Sequence, residues 1–259
     1  MKTFAIINQK GGVGKSTISV NVSYELSKKN RILLVDLDPQ GHSSNIYSGS
    51  ENDNYEFKNT VKDLFLDSNF NTIDAIYPSK INKDGIVETI KNLDIIPSNI
   101  FLARSSEQIN ARRFREQLLS NHLDKLINYD YCILDCPPNL GLITVNALFT
   151  SDVLLVPVNA DKASLEAVQD LIESSEEVKK NPYLAIIRNN IDVRNKQSNL
   201  YLDNQLSNYS NHHILKTIIH RSETINQARM LNQPIQIMNP NSKAVSEYES
   251  LANEIKELL

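Results

Sequence analysis

The 259-residue chain is short of cysteine and of long apolar runs, and each shortage closes a class of function. Its two cysteines, Cys132 and Cys136, share one segment, Tyr131-Cys-Ile-Leu-Asp-Cys136. On an extended strand they stand about 13 Å apart, too far for a disulfide. There is no CxxC pair, which argues against cysteine-bound zinc or an iron–sulfur cluster within one chain. Two buried, reduced thiols are expected. No apolar run approaches the roughly 18 residues of a membrane span. The apolar run Phe4–Ile7 gives way at once to Asn8-Gln9-Lys10, which is too short for a secretory leader. A cytoplasmic protein is expected, with a first strand starting almost at Met1 and no N-terminal DNA-reading module.

An excess of positive charge is also missing. The net charge is −4, against a uniformly basic nucleic-acid binder. The balance is uneven, however. Residues 51–74 carry Glu51, Asp53, Glu56, Asp63, Asp67 and Asp74 against Lys58 and Lys62. Residues 188–234 carry Arg188, Arg194, Lys196, Lys216, Arg221 and Arg229 against Asp192, Asp203 and Glu223, enough for a local basic surface.

Apolar runs alternate with helical stretches. Strands are predicted at Thr3–Asn8, Arg31–Asp36, Leu93–Pro97, Tyr131–Asp135, Val153–Val158, Tyr183–Asn189 and Ile214–His220. Most are near-continuous Ile/Leu/Val, as in strands buried on both faces. Helices are predicted at Ser16–Lys29, Ser105–Asn128, Leu142–Thr150, Ser164–Lys180, Leu200–Asn208, Glu223–Leu231 and Lys243–Leu258. Such alternation implies one α/β domain over residues 1–259, a mostly parallel twisted sheet with helices on both faces. Residues 44–92, polar and Asn-rich, read as loops and short helices.

The chemistry begins at Gln9-Lys10-Gly11-Gly12-Val13-Gly14-Lys15-Ser16-Thr17, between a strand and a helix. Glycines let the backbone turn tightly and point its N–H groups inward. The following helix N-terminus adds partial positive charge. In such a cradle Lys15 reaches β/γ phosphates and the Ser16 hydroxyl ligates Mg²⁺. The usual phosphate-loop pattern puts Gly where Gln9 stands. A second lysine, Lys10, precedes the Gly-Gly pair instead.

Two further segments supply carboxylates. In Leu34-Val-Asp36-Leu-Asp38-Pro-Gln-Gly41, alternation puts Asp36 and Asp38 on one side of the strand, and Pro39 ends it. Open α/β sheets bind ligands along that carboxyl edge. Tyr131-Cys-Ile-Leu-Asp135-Cys-Pro-Pro138 ends in a single Asp, as does the strand that approaches Mg²⁺ in phosphate-loop ATPases.

Together these segments resemble the ParA/Soj partition ATPases, within the MinD and nitrogenase iron-protein group of deviant Walker A P-loop NTPases. The matching pieces are Asn8–Ser16, Leu33–Gly41, Leu93–Asn99, Asp135–Gly141, Asn146–Leu148, Val156-Pro157 and the tail Asn239–Tyr248. The resemblance implies ATP and Mg²⁺ as cofactors. It implies Lys10, Lys15 and Asp38 as catalytic groups, with Lys10 crossing to the partner's phosphates in a homodimer bridged by ATP. It implies a nucleotide cradle of Lys10, Gly11, Gly12, Val13, Gly14, Lys15, Ser16 and Thr17, with Asn189 near the adenine. Metal-side groups are Ser16, Asp36 and Asp135. It also implies non-specific DNA binding, nucleoid association and a ParB-like centromere-binding partner that stimulates hydrolysis. Lys216, Arg221 and Arg229 are the DNA-facing candidates. His220-Arg-Ser-Glu-Thr224 departs here from the family's usual Pro-Arg-Asn-Val-Arg.

A MinD-like spatial regulator shares this core but needs a cationic amphipathic C-terminal helix. Ser246–Leu259 holds four glutamates and one lysine, and no membrane contact is expected. A same-fold ATP-dependent metabolic enzyme, such as a synthetase, stays open as an alternative.

Overall fold

The near-continuous apolar runs become strands because Ile, Leu and Val fill both faces of a pleated ribbon covered by helices. A computed structural model of the chain describes residues 1–50, 56–178, 183–209 and 211–258. Glu51, Asp53 and the expected helix end at Lys180 lie outside the described residues.

The described strands are β1 (Lys2–Ile6), β2 (Ile32–Asp36), β3 (Tyr77–Lys83), β4 (Ile86–Ile96), β5 (Tyr131–Asp135), β6 (Val153–Val158), β7 (Tyr183–Ile191) and β8 (His213–His220). They form one sheet in the order β3-β4-β2-β5-β1-β6-β7-β8. Every neighbouring pair is parallel except β3 and β4. From β1 the chain builds outward both ways, which puts the strand-order reversal beside the glycine-rich turn. In register, Ile6 and Asp36 each pair with Asp135, so the ends of β1, β2 and β5 are level.

Alternation assigns successive side chains to two cores. Phe4, Ile6, Leu34, Ile133 and Leu155 pack with the helices Lys15–Ser27 and Lys243–Lys256. Ala5, Ile7, Leu33, Leu134 and Val156 pack with the helices Leu142–Thr150, Lys162–Glu177 and Lys196–Leu206. Each fully buried Leu, Ile or Phe contributes about 1.5–3 kcal/mol.

The described residues of the 44–92 stretch are more regular than expected. Lys83 and Ile86 pair across Asp84 (φ 53°) and Gly85 (φ 83°), so β3 and β4 form an antiparallel edge hairpin. Two successive left-handed residues are what a type I′ turn demands, and Asp-Gly supplies them. The long helix expected over 105–128 is broken into Ser106–Asn110, the 3-10 turn Arg115–Gln117 and Leu118–Leu123. Phe114 at φ 52° interrupts the helical hydrogen-bond ladder.

The free edge of β8 is capped from the C-terminal helix. Glu254 accepts the N–H groups of Lys216 (2.5 Å) and Thr217 (2.9 Å), and Glu247 accepts that of His220 (3.0 Å). Burial lifts the Glu254 carboxyl, but the hydrogen bonds outweigh it and hold it below the usual range. These glutamates thereby blunt an edge that would otherwise template strand pairing.

Candidate functional site

β1 ends at Ile6 and the next helix starts at Lys15, so the glycine-rich turn lies at the carboxyl edge of the central strand. Its base is pinned by Asn8, whose Nδ2 donates to the Pro157 carbonyl at 2.9 Å and whose Oδ1 accepts the Lys10 N–H at 2.8 Å. Gly12 (φ 78°) and Gly14 (φ 90°) take left-handed conformations. Gly14 has a second constraint, because a Cβ there would overlap the Asn189 amide nitrogen. Asn189, on β7, donates from Nδ2 to the Val13 carbonyl at 2.6 Å. That hydrogen bond ties the turn to the far half of the sheet.

Gly11, Gly12, Gly14, Lys15, Ser16, Thr17 and Asp38 line one cavity of about 640 Å³. Val13 is fully buried, its carbonyl accepting from Asn189. Lys15 is buried, and its Nζ donates to the Lys10 carbonyl at 3.0 Å, closing the turn on itself. Burial lowers the Lys15 ammonium below its usual range, with Asp135, Cys136 and Asp38 pulling the other way. An incoming phosphate meets a cation that is already desolvated.

The carboxylates divide their work. Asp36 is fully buried and both oxygens are occupied: Oδ1 by the Asp38 N–H (3.0 Å), Oδ2 by the Ser44 N–H (2.9 Å) and hydroxyl (2.7 Å). Through these bonds Asp36 ties the Asp38 backbone to Ser44 and fixes the 36–44 segment. Asp135 is also fully buried; Oδ2 accepts the Ser43 hydroxyl at 2.6 Å and Oδ1 has no hydrogen-bond partner. Burial lifts both carboxyls, and Asp135 lifts Asp36 further. The nearby Ser16 and Ser19 hydroxyls favour the Asp135 charge without closing a bond onto Oδ1. A buried oxygen with no partner beside Ser16 fits a hydrated Mg²⁺, which takes one or two protein ligands and leaves the rest to phosphates and water. Among the described residues, no cluster of three His, Cys, Asp or Glu side chains offers a self-contained metal cage.

Lys10, the neighbour of the lining residue Gly11, has a side chain 31% exposed, with Nζ 2.5 Å from Asp161 Oδ1. Asp161 also caps the helix Lys162–Glu177 by accepting the Ser164 N–H at 3.0 Å. Burial raises the Asp161 carboxyl, but Lys10 and Ser164 prevail and hold it below the usual range. Asp161 was not singled out from the sequence. Its signal was the N-cap pattern Asp161-x-x-Ser164, which marks a helix start but not a partner for Lys10. Ser43 and Ser44 were missed too, being ordinary residues in a polar stretch.

The three DNA-facing candidates are not brought together. Lys216 is exposed midway along β8, and Arg221 lies beyond the strand's end, 3.9 Å from Asp192. Arg229 lines the 640 Å³ cavity itself. Cys132 and Cys136 are buried and unpaired, as expected, and burial pushes both thiols up. Among the described residues, no helix is long and apolar enough to cross a membrane.

Known proteins carry the same architecture. A family model described as an AAA domain matches residues 1–193. The sporulation initiation inhibitor protein Soj of Bacillus subtilis (strain 168) is 35% identical over 260 residues, covering 98% of both chains. A plasmid partition protein from Borrelia burgdorferi B31, solved bound to AMPPNP, superposes with a TM-score of 0.82 at 25% identity, covering 100% of this chain and 99% of that one. Cobyrinic acid a,c-diamide synthase from Mycobacterium smegmatis, solved with an ATP analog and magnesium, gives 0.79 at 25% identity, covering 99% and 95%. With the phosphate-loop turn, the second lysine and the level row of carboxylates all in place, the chain belongs to the ParA/Soj-type family of P-loop partition ATPases.

Proposed function

We propose that this chain is an ATP-driven DNA-partition switch. ATP binds in the 640 Å³ cavity, with the backbone N–H groups of residues 11–17 and Lys15 on its phosphates. Ser16 and Asp135 would hold Mg²⁺, which would supply charge neutralisation to the phosphates. Asp38, aimed by Asp36 through the loop, orients the attacking water. Lys10 leaves Asp161 and crosses to the phosphates of a second copy. Charge neutralisation is thereby tied to dimerisation, and hydrolysis loosens the pair.

One observation carries this reading: Lys10 turns a partly exposed ammonium away to Asp161 while the buried Lys15 serves the loop from within. A single-copy ATPase needs only the inner lysine. The dimer would bind DNA without sequence preference through exposed cations of the 188–234 stretch, Lys216 and Arg221 among them, while Arg229 faces the nucleotide. A ParB-like centromere-bound partner would trigger hydrolysis. Likeness to Soj over nearly the whole chain favours this over the synthetase reading that the cobyrinic acid synthase fold keeps in view.

The test is molar mass and DNA binding with ATP, ADP and no nucleotide. A dimer that forms and binds DNA only with ATP supports the switch. An ATP-loaded monomer with no DNA affinity overturns it.

A further inference from the structure

A groove of about 360 Å³ opens at the carboxyl ends of the adjacent strands β4, β2 and β5. Leu102, Ala103 and Ile109 line it from the segment after β4, Leu142 from the helix after β5, and Pro39 and Pro137 from the strand-end loops. Such a mostly apolar lining suits a bound apolar face rather than a phosphate.

The groove touches the loops that carry the carboxylates. Pro137 stands two residues beyond Asp135, and Pro39 directly follows Asp38. Pro39 is the middle of a tight turn, in which Asp38 Oδ1 accepts the Gln40 N–H at 3.0 Å and the Asp38 carbonyl accepts the Gly41 N–H at 2.9 Å. Proline has one backbone torsion fixed. A side chain seated on its ring therefore bears on the whole turn, and so on Asp38.

The groove's surroundings state the occupant's chemistry. Residues 100–117 carry Arg104, Arg112, Arg113 and Arg115 against Glu107 and Glu116, in a chain of net charge −4. Arg104 is exposed, its guanidinium 5.2 Å from the Phe101 ring centre, and Arg115 Nη1 donates to the carbonyl of the lining residue Asn110 at 3.0 Å. Ile100, Phe101 and Phe114 are exposed among these arginines. Phe114 is 74% exposed in a left-handed backbone (φ 52°), so burial does not offset its strain. Strain of this kind gathers at functional surfaces, and aromatic and arginine side chains are the common anchors of protein interfaces.

We infer that this groove receives an amphipathic helix of a partner protein, apolar along one face and acidic along its flanks, whose seating on Pro39 speeds hydrolysis. The apolar face fills the groove, and the acidic flanks meet the arginines. The inference rests on the proposed ATPase site and gives the partner that triggers hydrolysis a surface and a chemistry.

The probes are two synthetic helical peptides with the same Leu/Phe face, one flanked by Glu and the other by Lys. Binding to the full chain with ATP and Mg²⁺ is read by fluorescence anisotropy, and phosphate release is followed alongside. The Glu peptide should bind about tenfold tighter than the Lys peptide, the worth of two or three exposed ion pairs, and should speed phosphate release. Arg104→Glu combined with Arg113→Glu should reverse the preference. Ala103→Trp fills the groove from an exposed position and should weaken the Glu peptide at least tenfold with an unchanged melting temperature. Equal affinity for the two peptides, or wild-type affinity in Ala103→Trp, refutes the groove. Binding of the Glu peptide without faster phosphate release refutes the link through Pro39. Loss of ATP-dependent dimerisation in Ala103→Trp makes the groove a seat for a second copy and overturns the proposal. A wild type that releases no phosphate with or without peptide refutes the ATPase reading instead, while the binding comparison still decides the groove.

Discussion

Gly14→Ala probes the joint between the phosphate loop and the far half of the sheet. Two costs can be worked out separately. A left-handed backbone at φ 90° costs an L-residue about 1–2 kcal/mol. The added methyl overlaps the Asn189 amide, which is buried and bonded to the Val13 carbonyl. Displacing it leaves buried polar groups unmet, at about 1–3 kcal/mol. The sum, about 2–5 kcal/mol, corresponds to a drop in melting temperature of about 4–20 °C for a chain of this size. Asn189→Ala removes the obstacle along with its hydrogen bond. In that background Gly14→Ala should cost only the backbone term, so the two variants should be less than additive by about 1–3 kcal/mol. Thermal melts and denaturant titrations of the four proteins without nucleotide measure this directly. A Gly14→Ala melting temperature within about 1 °C of wild type, or two penalties that simply add, would refute the steric account.

Asp161→Asn keeps an N-cap residue and removes the charge that holds Lys10. A half-exposed ion pair is worth about 0–1 kcal/mol, and a symmetric dimer breaks it twice. The ATP dimer should therefore tighten up to about 30-fold in sedimentation equilibrium; a weaker dimer would show that Asp161 helps the closed state. Asp38→Ala should leave a stable ATP dimer with turnover down at least a hundredfold, and normal phosphate release would remove Asp38 from the mechanism. Arg221→Glu should weaken DNA binding and reduce the salt slope by about one unit per lost phosphate contact. Unchanged titrations would move the DNA face elsewhere.

The phosphate loop was legible because its chemistry is local. Tight turning requires Gly12 and Gly14, and the lysines and Ser16 follow at fixed spacing. Asp135 was legible because it ends an apolar strand, and Asp38 because it stands two residues beyond one, directly before Pro39. Asp36 shared that signal, yet Ser44, from a helix that sequence leaves unassigned, claims its Oδ2. Long-range pairings are the least legible. Lys10 follows β1 and Asp161 follows β6, so β2 to β6 lie between them along the chain, and nothing near either residue announces their contact. Glu247 and Glu254 suggest an acidic helix face from composition alone. Only the position of β8 at the sheet edge gives them backbone N–H groups to cap. The β3–β4 hairpin did carry a local signal in Asp84-Gly85, masked by the polarity of the flanking strands. The break at Phe114 had none, since a bulky aromatic rarely adopts a left-handed conformation.

The central claim is that Lys10 acts on a second copy's phosphates. Molar mass by light scattering of wild type and Lys10→Ala, each with a non-hydrolysable ATP analogue and Mg²⁺, tests it most directly. Wild type should run as a dimer and the variant as a nucleotide-loaded monomer. A variant that dimerises as fully as wild type would contradict the account.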